Sequence, residues 1–228
     1  MAPALLSPRS PLLRQHGLVG CSTGYMTEHR EDWEHLVVEA AGVSGIVAEL
    51  SALSEDELPS LIAYLDLNPI LPFRYLSVHG PSKERRLGER ELVERLASLP
   101  PWVDAIVMHP DTIEDAATYQ PLGRRLVLEN MDARKTDGRT ADQLAAYFNA
   151  LPEAGLCFDI AHAKSVDASM REGEAILETF GSRLRHVHVS SLDAEDHHVS
   201  LILEDEALYQ PLLQRCRDVP WILEAPPA

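Results

Sequence analysis

The chain has 228 residues, enough to bury one full hydrophobic core. Hydrophobic residues make up 45% and charged residues 25%, the balance of an ordinary soluble globular domain, and no apolar run approaches the roughly 18 residues of a membrane helix. A formal charge of −16, from 20 Lys plus Arg against 36 Asp plus Glu, repels polyanions and argues against nucleic acid as a partner.

In chain order, the start "MAPALLSPRSPLLRQH" has apolar pairs broken by Pro3, Pro8 and Pro11. It reads as a flexible leader over residues 1–16, without the continuous apolar stretch of a secretory signal. From residue 17 to 228, short apolar runs alternate with amphipathic stretches. The predicted strands are 18–23, 44–50, 74–80, 103–110, 125–130, 155–160, 184–190 and 220–225. Each is apolar on both faces, as in a parallel sheet covered by helices.

Helical patterns lie between them. "EDWEHLVVEAAG" opens with acids and closes on Gly42. "SEDELPSLIAYL" spells a capping box, with Ser54 followed three residues on by Glu57. "GERELVERLASL" sets Leu92, Leu96 and Leu99 at helical spacing, and Thr140 caps "TADQLAAYFNAL". "GEAILETFG" and "DEALYQPLLQRC" supply the later helices, the last interrupted by Pro211. The one basic cluster, "SKERR" at 82–86, reads as a solvated helix start. Cys21, Cys157 and Cys216 are odd in number and widely spaced, which points to reduced thiols in the cytoplasm.

Strand and helix alternate about every 28 residues, so the predicted fold is α/β, a single (β/α)8 TIM barrel forming one catalytic domain over 17–228. A doubly wound open sheet is the alternative. No GxGxxG follows the first strand, so a dinucleotide site is not expected.

The ends of six consecutive strands carry the chemistry. His79 ends the third and His109 the fourth. Glu129, with Asn130 beside it, ends the fifth, and Asp159 ends the sixth with His162 just beyond. His188 lies late in the seventh, and Glu224 ends the eighth. The loop after the seventh adds Asp196 and His198, with His197 competing. In a closed barrel these ends meet at one face. Alternation puts Val127 and Glu129 on one side of their strand, as it does Cys157 with Asp159 and Ile222 with Glu224. Crowded carboxylates resist ionisation unless a counter-charge is present. Interleaved imidazoles point to a divalent metal such as zinc, manganese or iron as that charge. One histidine alone would be a packing residue and Asp159 alone a helix cap, but that explanation must be repeated for six strands. His186 reads as a core or supporting group, and His16, His29 and His35 receive no role. Glu49 is expected to touch substrate or form an ion pair, and Asn130 to touch substrate.

These motifs resemble the xylose-isomerase-like TIM barrels, the superfamily of endonuclease IV and many sugar and sugar-phosphate isomerases and epimerases. "LVLEN" is similar to the family's Glu-Asn strand, "CFDIAHA" to its Asp-x-x-His-Ala segment, "HVHVS" to its seventh strand and "WILEAP" to its closing Glu strand. The resemblance implies one to three ions, zinc or manganese. One would sit at His79, His109 and Glu129. A second would take Glu129, Asp159, His188 and Glu224, and a third His162, Asp196 and His198. Epimerases of the superfamily use the four-residue subset alone.

Two activities on a small sugar-like or phosphorylated substrate follow. One is phosphoester hydrolysis at a di- or trinuclear site, favoured because the extra histidines exceed what one ion needs. The other is sugar or sugar-phosphate isomerisation or epimerisation, with Glu129 and Glu224 exchanging protons at one ion. Position 194 is alanine, where sugar epimerases carry an arginine six residues after the histidine matching His188. Abasic-site cleavage conflicts with the charge. A non-catalytic metal-binding barrel is the remaining class. The sequence leaves the oligomeric state open.

Overall fold

The computed structural model describes residues 10–83 and 85–227. Eight parallel strands close into a barrel. They are β1 (Val19–Ser22), β2 (Val47–Ser51), β3 (Tyr75–His79), β4 (Ala105–Met108), β5 (Leu126–Glu129), β6 (Gly155–Asp159), β7 (Leu184–Val189) and β8 (Trp221–Leu223). Every predicted strand is present, trimmed by a few residues at its ends. The fold is a single (β/α)8 TIM barrel.

The two-sided apolar character of the strands now has its reason. Leu76, Val78, Ile106, Met108, Leu128 and Phe158 face the surrounding helices and join the main core. Ala105, Val107, Val127 and Cys157 face inward and pack with Tyr75 inside the barrel. Fully burying one such aliphatic side chain contributes about 1.5–3 kcal/mol. A Cβ on Gly20 would stand 2.1 Å from the Val47 carbonyl oxygen, so only glycine lets β1 lie this close to β2.

The outer layer comprises α1 (Pro11–Gln15), α2 (Trp33–Val43), α3 (Glu57–Asp66), α4 (Glu89–Ser98), α5 (Ala141–Ala150), α6 (Ile160–Val166), α7 (Arg171–Phe180) and α8 (Leu203–Arg215). Thr140 caps α5 by accepting from the Gln143 amide. The capping box at α3 is half formed. The Glu57 carboxylate accepts from the Ser54 amide at 3.3 Å, but Asp56 occupies the cap position without a side-chain bond. The helix α8 runs continuously through Pro211, where the sequence predicts an interruption. No helix is predicted between β4 and β5, yet a 3-10 run spans Ala116–Arg125 and turns at Gly123, φ 54°.

Residues 1–9 of the predicted leader lie outside the described residues. Its remainder differs from a flexible segment. Ser10 caps α1, Leu12 and Leu13 are buried, and His16 stacks on Trp221 at 3.9 Å. The "SKERR" cluster precedes α4 rather than starting it, and its Arg85 pairs with Glu55 at 3.0 Å. Among the described residues no helix is long and apolar enough to cross a membrane.

Candidate metal centre

Parallel register carries the strand-end residues to one level. Glu129 lies opposite Cys157, and Asp159 opposite His188. A hairpin of Ser191–Leu192 with His198–Val199, absent from the sequence reading, folds His198 back over the same end. The result is three overlapping groups whose donor atoms lie within 4.8 Å of one another: His79, His109 and Glu129; Glu129, Asp159, His188 and Glu224; and Asp159, His162 and His198.

Glu129 is the centre. One carboxylate oxygen is 3.3 Å from His79 Nε2 and 3.3 Å from His109 Nε2. The other is 3.2 Å from His162 Nδ1 and 3.5 Å from His188 Nδ1. Glu224 stands 3.2 Å from His188 Nδ1 and 3.3 Å from His198 Nδ1.

Backbone and side-chain acceptors fix several rings. His79 Nδ1 lies 2.9 Å from the Gly80 carbonyl and His162 Nδ1 3.0 Å from the Asn130 carbonyl. Each carbonyl takes the Nδ1–H, which leaves Nε2 as the nitrogen that can give a lone pair to a cation once its own proton is displaced. His79 Nε2 then sits 3.1 Å from His109 Nε2, and His162 Nε2 sits 3.2 Å from His198 Nε2. Two imidazole nitrogens on one tetrahedral zinc, at about 2.0–2.1 Å bonds, are spaced by about 3.3 Å. Asp159 Oδ2, His188 Nδ1 and Glu224 Oε2 are buried without a hydrogen-bond partner. Orphaned buried donors and acceptors are costly, and a cation among them removes the cost for the lone pairs. The residues present fit divalent metal.

Comparisons with known proteins bear on the fold. The profile of the family described as Xylose isomerase-like TIM barrel matches residues 111–216, the stretch that carries Glu129, Asp159, His162, His188 and His198. One similar solved structure is an AP endonuclease, family 2, from Brucella melitensis, with 12% identity and a TM-score of 0.53, covering 91% of this chain and 92% of that one. Another is an uncharacterized protein from Parabacteroides distasonis ATCC 8503, with 15% identity and a TM-score of 0.55, covering 91% and 90%. At these identities the likeness is one of fold. Among curated proteins none matches significantly.

In this barrel the third group differs from expectation. Asp159, not Asp196, accompanies His162 and His198. Asp196 lines the cavity at the hairpin turn, φ 58°, but lies in none of the three groups. His197 is exposed and turns to Asp193 at 3.3 Å, so His198 is the inward member of the pair. Asp159 both caps and remains available: Oδ1 accepts from the His162 amide at 2.7 Å while Oδ2 has no hydrogen-bond partner.

Neither expected substrate contact reaches the cavity. The Asn130 amide spans both backbone groups of Asp159 at 2.8 Å each and is fully buried. It fixes where β6 presents its carboxylate. Glu49 is likewise sealed inside the barrel, 3.3 Å from His188 Nε2.

The cavity over the centre holds about 600 Å³. Besides the expected ligands it is lined by Asp132, Lys83, Arg134 and Lys135, which the sequence reading does not include. Asp132 is 3.9 Å from His162 Nε2 and is held by Arg134 at 3.0 Å. Lys135 pairs with Asp111 at 2.8 Å. The run "DARK" after β5 is the only sequence signal for Asp132, Arg134 and Lys135, and nothing in it says they turn inward; Lys83 belongs to the "SKERR" cluster, read from the sequence as solvated.

Charge in the centre is unevenly held. Burial would push Glu129 up, but charge on His188 and His109 and hydrogen bonds from His109 and His162 pull it well below the usual carboxylate range. Glu224 is pulled well down against its burial by His188 and His198. Asp159 goes the other way: burial, with Glu224 and Glu129 nearby, holds it well above the usual range despite His162. Burial opposes the charge on His162, yet Asp159 and Glu129 raise its pKa to about 10. Burial dominates at His109 and His198, whose pKa values fall.

Proposed function

We propose that this chain is a divalent-metal-dependent enzyme acting on a small sugar-like or phosphorylated substrate, with phosphoester hydrolysis at a di- or trinuclear centre as the favoured reaction. The observation that carries this is the division of Glu129, one oxygen toward His79 and His109 and the other toward His162 and His188. A carboxylate shared in this way suits a bridge between ions, and an enzyme using one ion has no need of the outer histidines. His79, His109 and Glu129 would hold one ion, Glu129, Asp159, His188 and Glu224 another, and Asp159, His162 and His198 a third. Bound there, zinc or manganese supplies Lewis acidity and neutralises charge on phosphoryl oxygens.

The chain's own groups have separable tasks. Glu224 Oε2 is free of hydrogen bonds and belongs to a residue lining the cavity. It is therefore placed to help hold an ion and to orient the attacking water. Lys83, Arg134 and Lys135 line the cavity, Arg134 paired with Asp132 and Lys135 with Asp111, and these cations are the groups that would meet an anionic substrate in a chain of net charge −16. AP endonuclease activity, carried in the name of the Brucella melitensis protein, is disfavoured by that same net charge.

A second reading has one observation in its favour. Glu129 and Glu224 flank His188 Nδ1 at 3.5 and 3.2 Å, an arrangement for two carboxylates exchanging protons with a sugar at one ion. Metal counting on protein purified without chelator, with phosphate release from sugar phosphates and solvent deuterium uptake into sugars, separates the two. Two or three ions and phosphate release are expected. One ion per chain, unchanged in His162→Ala, with deuterium uptake and no phosphate release, would replace hydrolysis by isomerisation.

A further inference from the structure

Beneath the rim lies a set of buried polar groups that the proposed chemistry does not use. Glu49 on β2, Ser77 and Tyr75 on β3, and His186 on β7 all point into the barrel below His188. The Ser77 hydroxyl donates to Glu49 Oε2 at 2.8 Å. His188 Nε2 is 3.3 Å from the same oxygen, and His186 Nε2 is 3.8 Å from it. The Tyr75 hydroxyl sits 2.7 Å from His186 Nδ1. With Tyr75 donating to Nδ1, the N–H of His186 lies on Nε2, so both imidazoles turn an N–H toward one carboxylate. Glu49 and both histidines are fully buried, so water does not compete.

We infer that Glu49 is a positioning residue: by accepting the Nε2–H of His188 it fixes the tautomer in which Nδ1 is the lone-pair donor facing Glu129 and Glu224. His188 Nδ1 is buried and without a hydrogen-bond partner, on the side where those carboxylates stand. A histidine free to choose would place its proton on either nitrogen, and one of the two choices offers no lone pair to the rim. Orientation of metal-binding imidazoles by a carboxylate behind them is a general device. Here that carboxylate comes from β2, three strands round the closed barrel from β7. Tyr75 and His186 act one step further back, filling the space that would let Glu49 turn away. A competing role is visible. Cys157, His186 and His188 also have donor atoms within 4.8 Å of one another, so an ion could sit lower, on sulfur.

The inference rests on the proposed metal centre only for its consequence, and the test separates the two. In metal-free wild-type protein taken to a pH alkaline enough that His188 carries a single proton, long-range nitrogen–proton NMR correlations of histidines labelled with nitrogen-15, with His188→Gln to identify the signals, should show that proton on Nε2. Protonation on Nδ1 would overturn the inference, and no variant folding is needed for that result. Glu49→Gln, compared with wild type by competition against a chromogenic zinc chelator, should lose about 10- to 100-fold in zinc affinity. An unchanged affinity in Glu49→Gln, or a sulfur neighbour in the zinc X-ray absorption spectrum, would also overturn it. If wild-type protein takes up no zinc at all, the metal reading fails while the tautomer result still decides the role of Glu49.

Discussion

Replacing Glu129 with glutamine keeps the shape of the side chain and removes the anion that four imidazole nitrogens approach to within 3.2–3.5 Å. Glu129 is 1% exposed, so solvent screens little of that loss. Breaking a buried charged pair by removing one partner costs about 3–5 kcal/mol. In a chain of this size each kcal/mol shifts the melting temperature by about 2–4 °C. Metal-free Glu129→Gln should therefore melt about 6–20 °C below metal-free wild type by calorimetry. The second readout is metal content by mass spectrometry. An amide bridges two cations poorly, so the variant should retain at most one ion per chain and show no phosphate release. A variant that keeps wild-type stoichiometry and melts with the wild type would refute the placing of Glu129 between two ions.

Three further outcomes are expected. Because the pKa of His162 is raised from an ordinary value near 6.5 to about 10, its protonated form stabilises metal-free protein fully below about pH 6.5. That contribution should fade as pH rises through about 10 and be absent from His162→Gln, as urea titrations across pH would show. Loading His162 and His198 with a cation displaces that proton, so metal affinity should rise over the same range, with proton release measurable by calorimetry in buffers of different ionisation enthalpy. Asn130→Ala leaves two buried backbone groups of Asp159 without partners, at about 1–3 kcal/mol each, and should lower both stability and metal content; wild-type values in both would show the clamp to be dispensable. Leu61→Ala, in the fully buried face of α3, should cost about 2–5 kcal/mol in denaturant unfolding while leaving metal stoichiometry unchanged.

Much of the barrel was legible because its signals are local. The eight apolar runs are strands for the reason that gives them two apolar faces, one toward the helices and one toward the interior. Where local signals conflict with packing, the sequence misleads. Pro211 removes one backbone donor, yet the buried Tyr209, Leu212 and Leu213 hold α8 together across it. The run after β4 buries only Tyr119 and Leu122, has Pro121 between them, and folds as a 3-10 segment that turns at Gly123.

The amino-acid order by itself determined which residues stand at strand ends, since alternation and strand length are properties of a single segment. Only the closed barrel decided which of them meet, because that depends on register and on backbone clamps between segments far apart in the chain. Asp159 joined His162 and His198 because Asn130 holds its backbone and its capping oxygen leaves the other free, whereas Asp196 was carried aside by a turn at positive φ. Glu49 and Asn130 are polar residues that the sequence can only offer to a substrate. Depth within the barrel, visible in three dimensions alone, turns both into supports for the groups above them.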